Sequence, residues 1–408
     1  MKRIIVVGGG FGGITAALAI VKYADPDAEV TLIDREPYQQ YSPNLYELVT
    51  AEEELTALTD LKHSIAVPMA EIVQGRNIKF VRGEVTAIDA SSRQVTAGLQ
   101  HFEYDYLVLA LGSTSNSYGI PGVDEFAIPM KSANDALRIR DKLEFVIQAH
   151  RYDISKQYIR VAVAGGGFAG VEVAAELQKF LDFVAWKNNF PREKIETLLI
   201  EGSGRILNGL DDVVARDVAG RLHDLGVRTQ VSSMVVKAEA SFLEFKNGER
   251  LEYDCLIWTA GVKANSVPLT PEPALDRVGR IVVDGYLHPP ALPEVFILGD
   301  LACVLDADGR PMPGTIPEAE YQAEYVAKSL AALVKGRKPG AFSCRSFGYI
   351  IPVGGKWAVL KTSKIYIKGW MAYAIREFVA WRWFAGLIGP WKAFRLLYFD
   401  EKIYSKND

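Results

Sequence analysis

Arg3-Ile-Ile-Val-Val-Gly-Gly-Gly-Phe-Gly-Gly13 decides how this chain is read. A short apolar run meets a glycine turn, and a helix-like segment follows from Ile14 to about Lys22. Gly8, Gly10 and Gly13 fit G-x-G-x-x-G directly after a strand, the setting that a dinucleotide fold requires. Gly8 permits the tight turn, Gly10 lets the backbone approach a pyrophosphate, and Gly13 lets helix and strand close on each other. The helix N-terminus adds unpaired N–H groups and a positive dipole end. The strand Val30-Thr-Leu-Ile-Asp34 ends in an acid about 20 residues on, the spacing for gripping a ribose hydroxyl.

The theme then returns. Ile159-Arg-Val-Ala-Val-Ala-Gly-Gly-Gly-Phe-Ala-Gly170 repeats the first turn, with Gly165, Gly167 and Gly170 at the same spacing. Glu196-Thr-Leu-Leu-Ile-Glu201 supplies the second strand and its terminal acid. Asp254-Cys-Leu-Ile-Trp-Thr-Ala-Gly261 echoes Asp105-Tyr-Leu-Val-Leu-Ala-Leu-Gly112, a fully apolar strand that closes on a glycine and suits the centre of a parallel sheet. One architecture repeated at a long offset implies two nucleotide domains. Glu294-Val-Phe-Ile-Leu-Gly-Asp300 is a further apolar strand ending in an acid. Asp300 suits either a hydrogen bond to a ribityl hydroxyl or a helix N-cap. Between these landmarks, residues 35–46 read as an ordered loop with a helix after it. Residues 78–89 and 94–96 alternate like paired strands around a turn at 89–93. Residues 138–150 have a helical pattern.

A chain of 408 residues exceeds one ordinary core and implies two or three domains. With 49% hydrophobic and 24% charged residues it is globular, and a net charge of −4 gives no sign of a nucleic-acid partner. Cys255, Cys303 and Cys344 are scattered without a C-x-x-C, which suits a reducing compartment and leaves neither a disulfide framework nor a metal site expected. The chain enters a strand by Ile4, so no secretory leader is expected. No apolar run reaches the length of a membrane span.

The C-terminal stretch from Gly369 differs from the rest. Trp370, Trp381, Trp383 and Trp391 fall there, with Arg376, Arg382, Lys392 and Arg395 set among apolar residues at helical spacing. Gly389-Pro390 divides two amphipathic pieces. Basic, tryptophan-rich amphipathic helices lie in a membrane interface without crossing it. The alternative use of such a face is a homodimer interface or docking on the core.

Two dinucleotide sites in one chain suit a flavin dinucleotide and a nicotinamide one. The chain resembles the flavin-dependent two-dinucleotide-binding oxidoreductases, and within them the type II NADH:quinone oxidoreductases. The resemblance rests on Gly8 to Gly13 with Asp34, Ala110 to Gly112, Gly165 to Gly170 with Glu172, Ala260-Gly261, and Val295 to Asp300. It implies an α/β fold of two Rossmann-like domains plus a C-terminal region with amphipathic helices. The FAD domain is expected at 1–115 with 270–335, the NADH domain at 116–269, and the membrane-association region at 336–408. FAD contacts are implied at Gly8, Gly10, Phe11, Gly12, Gly13, Asp34, Arg35, Val85, Gly112, Asp300 and Lys356. NADH contacts are implied at Gly165, Gly167, Gly170, Glu201 and Gly261.

A carboxylate at Glu201 should repel a 2′-phosphate and favour NADH, a preference that the nearby Arg205 could soften. Catalytic roles are implied for Glu172, Glu318 and Gln322. Glu172 also reads as a helix N-terminal acid favoured by the dipole. The family's quinone-side motif A-Q-x-A-x-Q corresponds to Pro317-Glu-Ala-Glu-Tyr-Gln322, where Glu318 replaces the first glutamine. The absence of cysteines in 41–49 excludes the dithiol chemistry of the wider superfamily. The implied activity is hydride transfer from NADH to FAD and then two electrons to a membrane quinone, on a monotopic protein at the cytoplasmic face. The alternatives are a reductase of this architecture with a non-quinone acceptor, and a non-catalytic NADH-sensing flavoprotein.

Overall fold

The apolar run before the first glycine turn is too rich in β-branched residues to favour a helix, and it forms the strand Lys2–Val7. In the computed structural model, which describes residues 1–24, 26, 28–50, 65–152, 158–187, 190–306 and 309–404, this strand lies at the centre of a parallel sheet. The chain divides into two units. One comprises Met1–Gln40, Ala66–Thr114 and Val262–Phe347; the other comprises Tyr41–Ile65, Ser115–Gly261 and Gly348–Asp408.

The first unit's sheet runs Val295–Ile297, Tyr106–Leu109, Lys2–Val7, Ala28–Asp34, Ile78–Arg82, all parallel. Ile4 to Val7 are almost fully buried, as expected for a strand covered on both faces. The helix Phe11–Tyr23 follows the glycine turn and ends at Ala24, with Pro26 just beyond to prevent its continuation. The helix Ile316–Val334 packs against it.

The second unit repeats this order: Ile128–Pro129, Cys255–Trp258, Ile159–Ala164, Ile195–Ile200, Arg228–Gln230, again all parallel. In both units the glycine-turn strand sits between the acid strand and the strand that closes on a glycine. Even the hydrogen bonds at the turn correspond. Gly8 N–H donates to Ile33 O at 2.9 Å and Gly165 N–H to Ile200 O at 2.8 Å. The helix Phe168–Lys187 is the counterpart of the first helix and is buried around most of its girth.

The glycine turns show why these residues are needed. A Cβ on Gly13 would lie 1.8 Å from Gly8 O, and one on Gly170 would lie 1.8 Å from Gly165 O. Gly8 and Gly165 have φ of +106° and +116°, a region that residues with a side chain rarely adopt. A Cβ on Gly10 or Gly167, by contrast, would meet nothing within 4 Å.

The structure departs from the sequence expectations in three places. Residues 78–89 do not form one partner of a hairpin. Ile78–Arg82 joins the parallel sheet beside Ala28–Asp34, and only Val85–Asp89 pairs antiparallel with Gln94–Ala97. The chain changes direction at Gly83, whose N–H donates to Asp34 O at 2.8 Å. The unit boundaries also differ from those expected. Residues 41–65 and 348–408 both belong to the second unit, because the C-terminal helix and the helix Leu45–Thr50 share a buried polar network there. Asp300 caps no long helix: it lies inside the short turn Gly299–Leu301, and the next helix starts at Ile316. The C-terminal pair forms as expected, Trp370–Ile388 and Pro390–Tyr404, broken at Gly389.

The contrast between the third and second glycines predicts opposite outcomes for one substitution. Gly170→Ala should cost more than about 2 kcal/mol in a denaturant titration, because backbone rather than a flexible side chain must move. Gly167→Ala should cost less than about 1 kcal/mol.

Candidate active site

Each glycine turn is closed by the acid at the end of the neighbouring strand. The Asp34 carboxylate accepts from Gly9 N–H at 2.5 Å and from Glu36 N–H at 2.7 Å. The Glu201 carboxylate accepts from Gly166 N–H and from Ser203 N–H, both at 2.7 Å. The two acids are thus fixed in equivalent places beside equivalent turns. Burial pushes the Asp34 carboxyl up, against the pull of those backbone donors. Gly10 and Gly167 are the exposed members of their turns, while Gly8, Gly13, Gly165 and Gly170 are buried.

The remaining expected residues of the first unit lie on different elements. Phe11 opens the first helix, and Gly12 is pressed so closely on Leu298 that a Cβ would lie 2.4 Å from its Cδ1. Gly112, at φ +67°, gives its carbonyl to Asn265 N–H at 3.0 Å. Arg35 is exposed, its carbonyl accepting from Arg82 Nε at 3.2 Å, and Val85 is half-buried at the start of its strand. Ser113 Oγ donates to Asp300 at 2.5 Å. Sequence reasoning assigned no role to Ser113, although its place just beyond the strand-closing glycine was the available signal.

A concavity in this unit is lined by Asp300, Thr315, Glu318, Gln322 and Arg280. Gln322 Oε1 accepts from Gly299 N–H at 2.7 Å and so holds the turn that carries Asp300. Glu318 is 2% exposed. Its Oε1 accepts from Phe347 N–H at 3.3 Å, and burial pushes its carboxyl up. Two buried oxygens at the start of this helix, Thr315 Oγ1 and Glu318 Oε2, have no hydrogen-bond partner among the described residues. Buried polar atoms without partners are uncommon, and they point to a ligand that completes the site.

In the second unit, Gly261 lies under the Tyr118 ring, whose hydroxyl would be 2.1 Å from a Cβ there. Lys356 belongs to this unit and is exposed on the turn between the strands Tyr349–Pro352 and Ala358–Lys361. Glu172 lies a turn inside the helix Phe168–Lys187, so a dipole-favoured N-terminal acid does not describe it. Burial pushes its carboxyl up to about 8, with Arg376 pulling against that shift and Glu176 adding to it.

Arg376 departs furthest from its sequence reading. It is one of the basic residues of the tail, yet it is 7% exposed. Its guanidinium donates to Asn44 Oδ1 at 2.6 Å and Pro43 O at 3.2 Å, and lies 3.6 Å from Glu47. Ala372, Ala380, Phe384 and Leu387 are buried on the same helix, so the stripe that holds Arg376 faces the unit's interior. That spacing was visible in the sequence; the type of the residue concealed it.

The model of the pyridine nucleotide-disulphide oxidoreductase family matches residues 2–323. A type II NADH:quinone oxidoreductase of Staphylococcus saprophyticus is 27% identical over 86% of this chain and 88% of its own length. Demethylphylloquinone reductase NdbB of Synechocystis is 29% identical over 92% of this chain and 91% of its own. The structure of NDH2 from Plasmodium falciparum in complex with NADH superposes with a TM-score of 0.83 at 18% identity, covering 98% of this chain and 97% of that one.

The raised Glu172 carboxyl has a measurable consequence. The folded chain keeps a proton that the unfolded chain releases above about pH 4.5, so stability falls as pH rises from about 5 to about 8. Glu172→Gln should flatten that part of the Tm–pH curve. Equal slopes for variant and parent would show that Glu172 titrates normally.

Proposed function

The chain belongs to the pyridine nucleotide-disulphide oxidoreductase family, and from that premise we propose that it is a non-proton-pumping NADH:quinone oxidoreductase carrying FAD and drawing on a membrane quinone. The observation that carries the reading is the duplicated cradle, one turn with an open middle glycine in each unit. One cradle serves a resident dinucleotide and the other a dinucleotide that comes and goes. Similarity to type II NADH:quinone oxidoreductases over most of the chain supports the same activity.

The first unit fits FAD. Gly10 leaves room for a pyrophosphate, Asp34 is fixed for a ribose, and Asp300 is held by Ser113 for a ribityl chain. Thr315 and Glu318 bring polar atoms that still need a partner. FAD bound there supplies the two-electron relay between nicotinamide and quinone that no side chain offers. In the second unit Gly167 leaves room for the NADH pyrophosphate, and Glu201 is fixed to take the ribose hydroxyls and reject a 2′-phosphate.

Glu318 stands where the related enzymes carry glutamine. Burial raises the Glu318 carboxyl above the ordinary carboxylate range, and a carboxyl can pass a proton to the acceptor where an amide cannot. Gln322 keeps the Asp300 turn in place. Burial raises the Glu172 carboxyl to about 8, so at neutral pH it adds little negative charge to its surroundings.

Membrane attachment belongs to the same proposal. No helix among the described residues is long and apolar enough to cross a membrane. Trp370, Phe378, Trp391 and Phe394 are exposed along the C-terminal pair, with Arg382, Lys392 and Arg395 also at the surface. Aromatics beside cations suit the headgroup level of an anionic bilayer, which supports attachment at the cytoplasmic face.

Stopped-flow spectroscopy tests the activity. NADH should bleach the bound flavin within milliseconds to seconds, and a menaquinone or ubiquinone analogue should restore its colour. Fast bleaching without quinone reoxidation would favour a different acceptor, and no bleaching would favour a sensor. Glu318→Gln should slow reoxidation by about tenfold to a hundredfold and leave bleaching unchanged. For the membrane, truncating the tail would also remove Arg376 from the core, so point substitutions are the cleaner probe. Trp391→Ser with Phe394→Ser should weaken binding to anionic vesicles by about tenfold or more.

A further inference from the structure

Arg205 follows Glu201 by four residues, on the loop that leaves the acid strand. Such a cation beside a ribose-gripping acid is well placed to pair with the 2′-phosphate of NADPH. The loop around it is tightly fixed. Ser203 N–H donates to Glu201, Ser203 Oγ donates to Arg205 O at 2.8 Å, and Leu207 N–H donates to Gly166 O at 2.8 Å. The backbone of Arg205 is therefore held beside the second glycine turn, and only its side chain has a choice of direction.

That choice is made by the far end of the loop. The guanidinium donates through Nη2 to Leu210 O at 2.7 Å and through Nη1 to the Asp212 carboxylate. Asp212 is the first residue of the helix Asp212–Asp224, where the dipole favours an anion. The neighbouring Asp211 is occupied differently, lying 3.2 Å from Lys361 Nζ. Asp212 is thus the carboxylate that takes the Arg205 charge.

We propose that Asp212 determines cofactor specificity: by drawing the Arg205 guanidinium toward the start of its own helix, it withholds a cation from the ribose 2′ position and leaves Glu201 to select NADH over NADPH. The inference rests on the reading of Glu201 as the ribose grip and deepens it. Glu201 supplies repulsion toward the 2′-phosphate, and Asp212 removes the compensating attraction. Selectivity between ligands uses both kinds of element. The Asp212 side chain is 81% exposed and that of Arg205 is 37% exposed, so a substitution at Asp212 breaks the pair without disturbing the core.

The test compares purified full-length protein with Asp212→Asn, Arg205→Gln and the double variant, measuring dissociation constants by nicotinamide fluorescence and kcat/KM for NADH and NADPH. Asp212→Asn should raise kcat/KM for NADPH by about two- to fivefold, the scale of an exposed ion pair, and leave NADH within error. The gain should shrink as salt is raised. Arg205→Gln alone should leave NADPH use at the parent's level, and in the double variant it should abolish the gain. An unchanged NADPH:NADH ratio in Asp212→Asn would overturn the proposal. So would a loss of NADPH use in Arg205→Gln alone, since that would show Arg205 already facing the cofactor. A parent protein that binds neither nucleotide would overturn the ribose reading itself, a result distinguishable from an unchanged ratio.

Discussion

The closest approach in each glycine turn is the constraint on which the rest depends. The third glycine lies so near the carbonyl of the first that no side-chain carbon fits between them. That contact brings the helix N-terminus onto the end of the central strand. It also brings the helix N-terminus, the positive end of its dipole, up to the open second glycine. The same contact sets the strand end against its two neighbours, so the acid on one side and the glycine-closed strand on the other arrive at fixed places. Two copies of one backbone contact therefore produce two crevices, each with an anchored carboxylate and an unfilled position.

What the sequence made legible follows from this economy. Glycine spacing and strand-terminal acids are local signals with few alternative uses, and both turns, both acids and the duplication of the architecture could be read from them. The fold and the family were within reach for the same reason. Residues 78–89 were not, because alternation marks a strand but does not name its partner. Ile78–Arg82 and Val85–Asp89 look like one run, yet they join different sheets at Gly83. Asp300 offered two chemistries in sequence, and the position of the next helix decides against the capping one.

Charged residues were the harder case. Composition places Arg376 with the other cations of an amphipathic tail, yet Asn44, Glu47 and the Pro43 carbonyl surround it. A buried charge persists only where partners replace its water, and here all but the adjacent Glu377, which accepts from Nη1 at 2.5 Å, come from a segment far away in sequence. Glu172 shows the same dependence, since its raised pKa comes from burial set against the opposing Arg376 and reinforcing Glu176. Long-range partners leave no periodicity and no motif, so such groups become visible only in three dimensions.

The order in which the chain supplies its two units has a consequence for biosynthesis. The first unit is begun at the N-terminus, but its edge strand Val295–Ile297 follows the whole parallel sheet of the second. During N-to-C synthesis the sheet started second is therefore the one completed first. Until translation passes Ile297, the strand Tyr106–Leu109 keeps an unpaired apolar edge of the kind that invites pairing with another chain. The nascent protein must shield that edge for as long as the later sheet takes to emerge, and no single cut of the polypeptide yields either unit whole.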